Sequence, residues 1–131
     1  MGDKTRRFVE AMVAFNRDDV ETFGDILLAD DVVWHWGGDS SVSGDYHGRA
    51  ATLALLKGFR ELASHQLQVE PLDVLEGGDF VMSFTHVTGS KGTGTDIDVF
   101  LADAMRFGQD GTVVEYWTLA NDQRAVDAFI G

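Results

Sequence analysis

Residues 97–107 read as a strand, and period-two alternation sets Ile97, Val99, Leu101, Met105 and Phe107 on one face with Asp103 among them. Burial in an apolar wall disfavours a charged carboxylate, so the Asp103 pKa is expected to rise unless a cation or several donors compensate. Perturbed carboxylates of this kind gather at functional sites; a side chain that escapes through a bulge or pairs with an internal arginine is the structural alternative. The neighbouring strands supply possible companions. Phe80, Met82 and Phe84 form an apolar row that continues to His86, which places His86 on the pocket side as the natural neutral base. On the last strand, Tyr116, Thr118 and Ala120 point inward, where the Tyr116 phenol can donate a hydrogen bond and Thr118 can orient a ligand or water. The catalytic candidates are therefore Asp103, His86 and Tyr116, with Asp103 and His86 expected to face one cavity. Trp34, Trp36 and Phe59 would wall that cavity together with Met82, Phe84, Leu101 and Met105, and Thr118 completes the binding set.

These residues need a sheet and helices to hold them. Phe8, Ala11, Met12 and Phe15 recur at steps of three and four, predicting a helix over 3–15. Asp18 or Asp19 can cap a second helix carrying Val20, Phe23, Ile26 and Leu27 and running to Ala29, after which 32–36 reads as a short strand. The stretch 37–44, rich in glycine and serine, is expected to be a mobile loop. A third helix begins near Gly48-Arg49 and buries Leu53, Leu56, Phe59, Leu62 and Ala63. Beyond His65 the period falls to two: strands are predicted over 67–75, 80–88, 95–107 and 113–120, joined by glycine-containing turns and a longer tip at 89–94. Asp122 caps a last short helix with Val126 and Phe129. Helices followed by hairpin-linked strands make an α+β fold.

Composition bounds the partners. The 131 residues, 44% of them hydrophobic, predict one domain over 1–131. A net charge of −12 leaves no basic cluster to displace counterions from a phosphate backbone, so no nucleic acid is expected as a partner. No apolar run approaches the roughly 20 residues of a membrane span, so no membrane partner is expected either. With no cysteine, disulfides and thiolate sites are excluded, and a soluble cytoplasmic protein is the default. His35, His47, His65 and His86 are scattered without a paired ligand spacing, so no metal and no cofactor are expected. Arg106 alternates out of the pocket, and His35 faces the outer side.

Four segments resemble the nuclear transport factor 2-like superfamily, which includes the SnoaL-like polyketide cyclases and the ketosteroid isomerases. They are Leu28-Ala29-Asp30-Asp31-Val32-Val33-Trp34, Gly44-Asp45-Tyr46-His47-Gly48-Arg49, Asp103-Ala104-Met105-Arg106-Phe107 followed by Asp110-Gly111, and Val114-Glu115-Tyr116-Trp117 leading to Asp122. The resemblance implies a cystatin-like cone, with three N-terminal helices packed on a curved mixed, mostly antiparallel sheet. It also sets Asp103 where ketosteroid isomerases keep a protonated carboxylic acid in their oxyanion hole. The chain departs from both catalytic patterns elsewhere. Trp36 stands at the isomerase base position and Ala11 near its tyrosine, while the cyclase His-Trp-Asp run reads Tyr116-Trp117-Thr118.

Two classes of function follow. One is a cofactor-independent enzyme doing acid/base work of the isomerase, cyclase or hydrolase kind on a small apolar molecule. The other is a non-catalytic module that binds a hydrophobic ligand or associates through its surface. The outer sheet face carries Phe100, Ala102, Ala104, Trp117 and Leu119, a patch that predicts a two-fold homodimer. The alternative is that the C-terminal helix around Val126 and Phe129 folds over it.

Overall fold

A computed structural model of the chain describes residues 2–92 and 96–131. Two helices, α1 (Asp3–Asn16) and α2 (Val20–Leu27), lead into β1 (Leu28–Trp36) and β2 (Gly44–His47). After α3 (Arg49–Leu62) come β3 (Gln68–Gly77), β4 (Phe80–Ser90), β5 (Asp96–Phe107) and β6 (Val113–Ala120), and α4 (Gln123–Ile130) ends the order. The six strands form one sheet in the order β2-β1-β6-β5-β4-β3, with β1 and β6 parallel and every other pair antiparallel. This is the α+β cone with its mixed sheet. The expected start of β5 at residue 95 and the end of the 89–94 tip lie outside the described residues.

Capping and apolar spacing explain the helices. Phe8, Ala11, Met12 and Phe15 are the buried stripe of α1. Its first turn has no side-chain cap from its own N-terminus. Instead Glu76 on β3 accepts from Thr5 N at 2.9 Å and from the Thr5 hydroxyl at 2.7 Å, which satisfies an orphan donor and sets an anion at the positive end of the helix. At the other end, Asn16 mimics a strand residue: Nδ2 donates to Val69 O and Oδ1 accepts from Val69 N, both at 2.8 Å. Helix α1 is thus laced to the edge strand at both ends. Asp19, rather than Asp18, caps α2 by accepting from Thr22 N. The chain enters β1 at Leu28, earlier than alternation alone predicts, and Asp30 and Asp31 lie exposed in a bulged stretch between the Leu28 and Val33 pairings. The short polar strand β2 lies within the stretch that the sequence reads as the approach to the third helix. Gly48, at φ 93°, turns the chain from β2 into α3 while its N–H reaches Val32 O at 2.7 Å.

Two bulges set which residues face in. Val114 is the extra residue between the Arg106–Glu115 and Phe107–Val113 pairs, so Glu115 faces out with Arg106 while Tyr116 and Thr118 face in with Met105 and Asp103. Leu72 plays the same part on β3 opposite the Phe84/Thr85 step. The antiparallel β4–β5 register pairs Val81 with Met105, Ser83 with Asp103, Thr85 with Leu101 and Val87 with Val99. All four β4 residues are buried. Phe80, Met82, Phe84 and His86 therefore face outward, opposite to the pattern-based expectation, because directly paired residues in a ladder share a face.

Helix α4 does not cover the outer sheet face. Phe129 is buried inside, and Val126 and Ile130 border the open end of the cone. Asp122 caps the helix by accepting from Ala125 N. The 37–43 loop is tied to α4 by Asp39 N donating to Asp127 Oδ2 at 3.2 Å and is braced internally by Ser43 Oγ donating to Gly37 O at 2.9 Å. At Gly38 φ is 94°, a left-handed backbone that favours glycine, and an added Cβ would also displace the ends of the Gln123 and Asp127 side chains. No helix among the described residues is long and apolar enough to cross a membrane.

Candidate active site

Cross-strand register brings three short polar side chains into one row on the inner face: Ser83 on β4, Asp103 on β5 and Thr118 on β6, with Trp36 of β1 next in line. The parallel row beside it holds Val81, Met105, Tyr116 and Trp34. Asp103 is 7% exposed. A directed chain of hydrogen bonds ends on it. Trp34 Nε1 donates to Thr118 Oγ1 at 2.9 Å, and since indole can only donate, the Thr118 proton is turned toward Asp103 Oδ1, also at 2.9 Å. Asp103 Oδ2 makes no hydrogen bond among the described residues, so a proton carried by this group sits on Oδ2.

Burial dominates the titration of Asp103 and pushes its pKa up to about 7, against the smaller opposing effect of the Thr118 hydrogen bond. Tyr116 is stacked against Trp34 with ring centroids 3.7 Å apart. Burial first, and the nearby Asp103 charge second, raise its phenol well above the usual value, so it is a neutral donor at any working pH. Ser83 and Thr85 hydrogen-bond each other at 2.7 Å and are thereby satisfied inside the sheet.

Neighbouring spaces that share Phe15, Trp36, Leu56, Val69 and Leu101 lie against the inner face of the sheet. An inner one of about 50 Å³ is bordered by Asp103, Tyr116, Thr118, Trp34, Trp36 and Phe23 among others. An outer one of about 100 Å³ lies beneath α3 and α4, against Phe59, Val87, Val99, Val126 and Phe129. Trp36 and Leu101 border both, and also a third space of about 20 Å³ under the 37–43 loop. Trp36 stacks on Trp34 at 5.3 Å and meets Phe59 edge-on at 5.1 Å, which fixes its ring.

Of the residues singled out from the sequence, the structure brings Asp103, Tyr116, Thr118, Trp34, Trp36 and Leu101 to the inner chamber, and Phe59 to the outer one. Met105 faces inward but is fully buried in the core rather than against either chamber. His86 is not in the site: it lies on the outer face, stacked on Phe100 at 4.9 Å, with Nε2 2.5 Å from Asp98 Oδ1. Met82 and Phe84 are outside with it, exposed on the sheet surface. The expected Asp103–His86 pair is therefore absent. Sequence reading missed Ser83 and Thr85 and the helix residues Met12, Phe15 and Leu56 that close the inner chamber. The α1 and α3 stripes marked these helix residues as buried, but nothing in the stripes distinguishes core from cavity wall.

Outside the cavity, His35 bridges two carboxylates, with Nδ1 2.8 Å from Asp45 Oδ1 and Nε2 2.8 Å from Glu115 Oε2. Glu115, then Asp45, raise its pKa. The pair of bonds clips β2 to β1 and β6.

Comparison with known proteins places this geometry. The structure superposes on Bal32a from a soil-derived mobile gene cassette with a TM-score of 0.90 at 26% identity, covering 98% of this chain and 96% of that one. A protein of unknown function with a cystatin-like fold from Xanthomonas campestris gives 0.88 at 25% identity over 99% of both chains. IdmH from Streptomyces antibioticus, a candidate polyketide cyclase, gives 0.76 at 22% identity over 92% of this chain and 93% of its own, a likeness of fold. No curated protein sequence matches significantly. The SnoaL-like domain model matches residues 5–116. The chain belongs to the SnoaL-like domain family and has a cystatin-like fold.

Proposed function

We propose that this protein is a cofactor-independent enzyme that moves a proton on a small, largely apolar carbonyl compound, with Asp103 as the group that takes and returns it. The observation that carries this reading is a single carboxyl with a pKa of about 7, held by Thr118 and Trp34 in a chamber otherwise almost wholly apolar. A group titrating near neutrality is half ionised there, the condition for general acid/base work. In the forward step the Asp103 carboxylate takes a proton from the carbon beside the carbonyl, the C–H pair moves into the carbon skeleton, and negative charge develops on the substrate oxygen. Tyr116, always protonated, is the donor for that oxygen. Return of the proton to the same or a conjugated carbon completes an exchange or an isomerisation, with nothing consumed.

The test is exchange of the α-hydrogens of cyclohexanone in D2O, followed by NMR. Acceleration by the wild type that rises with pH through about 7 and disappears in Asp103→Asn is expected from general-base catalysis. Binding without acceleration would instead support the second reading, a ligand-binding module, which the predominantly apolar outer chamber favours. We further propose that two copies pair through the outer sheet face, since α4 is engaged at the cone mouth and leaves Met82, Phe84 and Leu119 exposed. The cysteine-free sequence suits the cytoplasm, where we place it.

A further inference from the structure

The outer chamber presents a puzzle of hydrogen bonding. Of the described side chains that border it, Trp36 is the one able to form a hydrogen bond; the rest are aliphatic or phenylalanine. Its Nε1 is buried and has no acceptor among the described residues. The other cavity tryptophan, Trp34, shows the usual arrangement, with its N–H satisfied by Thr118. Leaving a buried donor unpaired costs about 1–3 kcal/mol, and such groups are rare enough in native proteins to need a reason. Phenylalanine would supply comparable packing at this place without that cost. Trp36 also stands where the chambers meet, bordering all three, and its stacking on Trp34 and Phe59 prevents the ring from turning freely to seek a partner.

We propose that Trp36 Nε1 is a ligand-binding donor, and that the protein selects a neutral cyclic compound with two oxygen acceptors: one at the Asp103 end and a second that accepts from Trp36. This deepens the proposed function and rests on its reading of the cavity. A cyclic diketone or hydroxyketone has the required chemistry. The carbonyl that reacts lies in the inner chamber, while the second oxygen fixes the ring's direction along the path. An anion is disfavoured, because no described residue bordering either chamber is a cation and Asp103 carries negative charge when ionised. Neither space alone, at about 50 and about 100 Å³, reaches the roughly 150 Å³ known to hold benzene, so a ring must draw on both, past Trp36.

The experiment compares 1,4-cyclohexanedione with cyclohexanone, two rings of nearly equal size that differ by one acceptor. The chain has three tryptophans, so its side-chain N–H signals in a proton–nitrogen NMR spectrum are three, and the one missing from Trp36→Phe identifies Trp36. Titration of wild-type protein with the dione is expected to move that signal downfield, and cyclohexanone is expected to leave it nearly in place while shifting the backbone signal of Asp103. Trp36→Phe is expected to weaken the dione about 5-fold and cyclohexanone less than about 2-fold, the difference of one neutral hydrogen bond. A Trp36 signal unmoved by the dione, or equal loss of both ligands in the variant, would overturn the assignment and leave tryptophan a packing residue or one served by a bound water. Failure of both ketones to shift any cavity signal at saturating concentration would sink the assignment together with the ligand cavity itself.

Discussion

Replacing Asp103 by asparagine keeps the shape of the side chain and removes its titration. Asn Oδ1 can still accept from Thr118, and the amide NH2 occupies the place of the carboxyl O–H, so the variant resembles the protonated wild type. The unfolded chain releases this proton with a pKa of about 3.9, whereas the folded chain holds it to about 7. Between those values the native state binds the more protons, so wild-type stability falls as pH rises through that window and stays reduced above it. A gap of about three pKa units corresponds to at most about 4 kcal/mol. The carboxyls of Asp19, Glu76, Asp110 and Glu115 are shifted in the opposite direction, but they are common to both proteins and cancel in the difference. Urea unfolding of both proteins at one protein concentration, from about pH 4 to about pH 8.5, should give curves that coincide at the acid end and then diverge. With a slope near 2 kcal/mol/M the asparagine variant should unfold up to about 2 M later at the alkaline end. Parallel profiles, or a variant that is the less stable above pH 7, would refute the account of Asp103 as a buried carboxyl held neutral by its surroundings.

Three further outcomes are expected. Met82→Glu or Leu119→Glu, each placing a charge where the wild-type side chain is more than half exposed on the outer face, should convert a dimer to a monomer in sedimentation velocity while leaving the fold intact; a monomeric wild type would remove the pairing. The His35 ring should titrate above 6.5 by NMR, and Glu115→Gln should bring it down; its contribution to stability is complete below the unfolded pKa and is lost as pH rises through the raised folded one. Gly38→Ala should cost more than about 1 kcal/mol in thermal or urea unfolding, since the added methyl meets both a left-handed backbone and the α4 side chains Gln123 and Asp127.

Alternation was decisive for β5, whose inner face is a nearly unbroken apolar row, and pairing carries that direction to β6. Asp103 interrupts a row of five apolar residues, and its direction fixes that of Arg106 along the strand and those of Tyr116 and Thr118 across the ladder. Strand β4 has two faces that compete. Its outward residues Phe80, Met82 and Phe84 are larger and more apolar than the inward Val81, Ser83 and Thr85, so hydropathy points the wrong way. Ser83 and Thr85 tolerate burial by bonding each other, a pairing that is invisible until the strand's direction is known. Only the β4–β5 register decides the matter, and register depends on the length of a tip that composition does not specify. His86 followed its strand to the wrong side for the same reason. Strand β2 escaped notice because Asp45, Tyr46 and His47 offer no apolar face; it is held instead by pairing to β1 and by the His35–Asp45 contact.

The hydrogen bond from Trp34 to Thr118 joins residues 84 positions apart, across the parallel pairing of β1 with β6. Contacts so remote in sequence carry a large loop-closure cost and are repaid only after nearer ones have formed, so hairpins such as β3–β4 and β4–β5 have the head start in time. The closed surroundings of Asp103 are therefore completed late. Until β1 pairs with β6, Asp103 sits in a solvated meander of hairpins, where it titrates as an ordinary aspartate. The raised pKa appears only when the first strand closes on the sixth, so a partly folded chain, however much of its sheet is already paired, holds an ordinary surface carboxylate at this position.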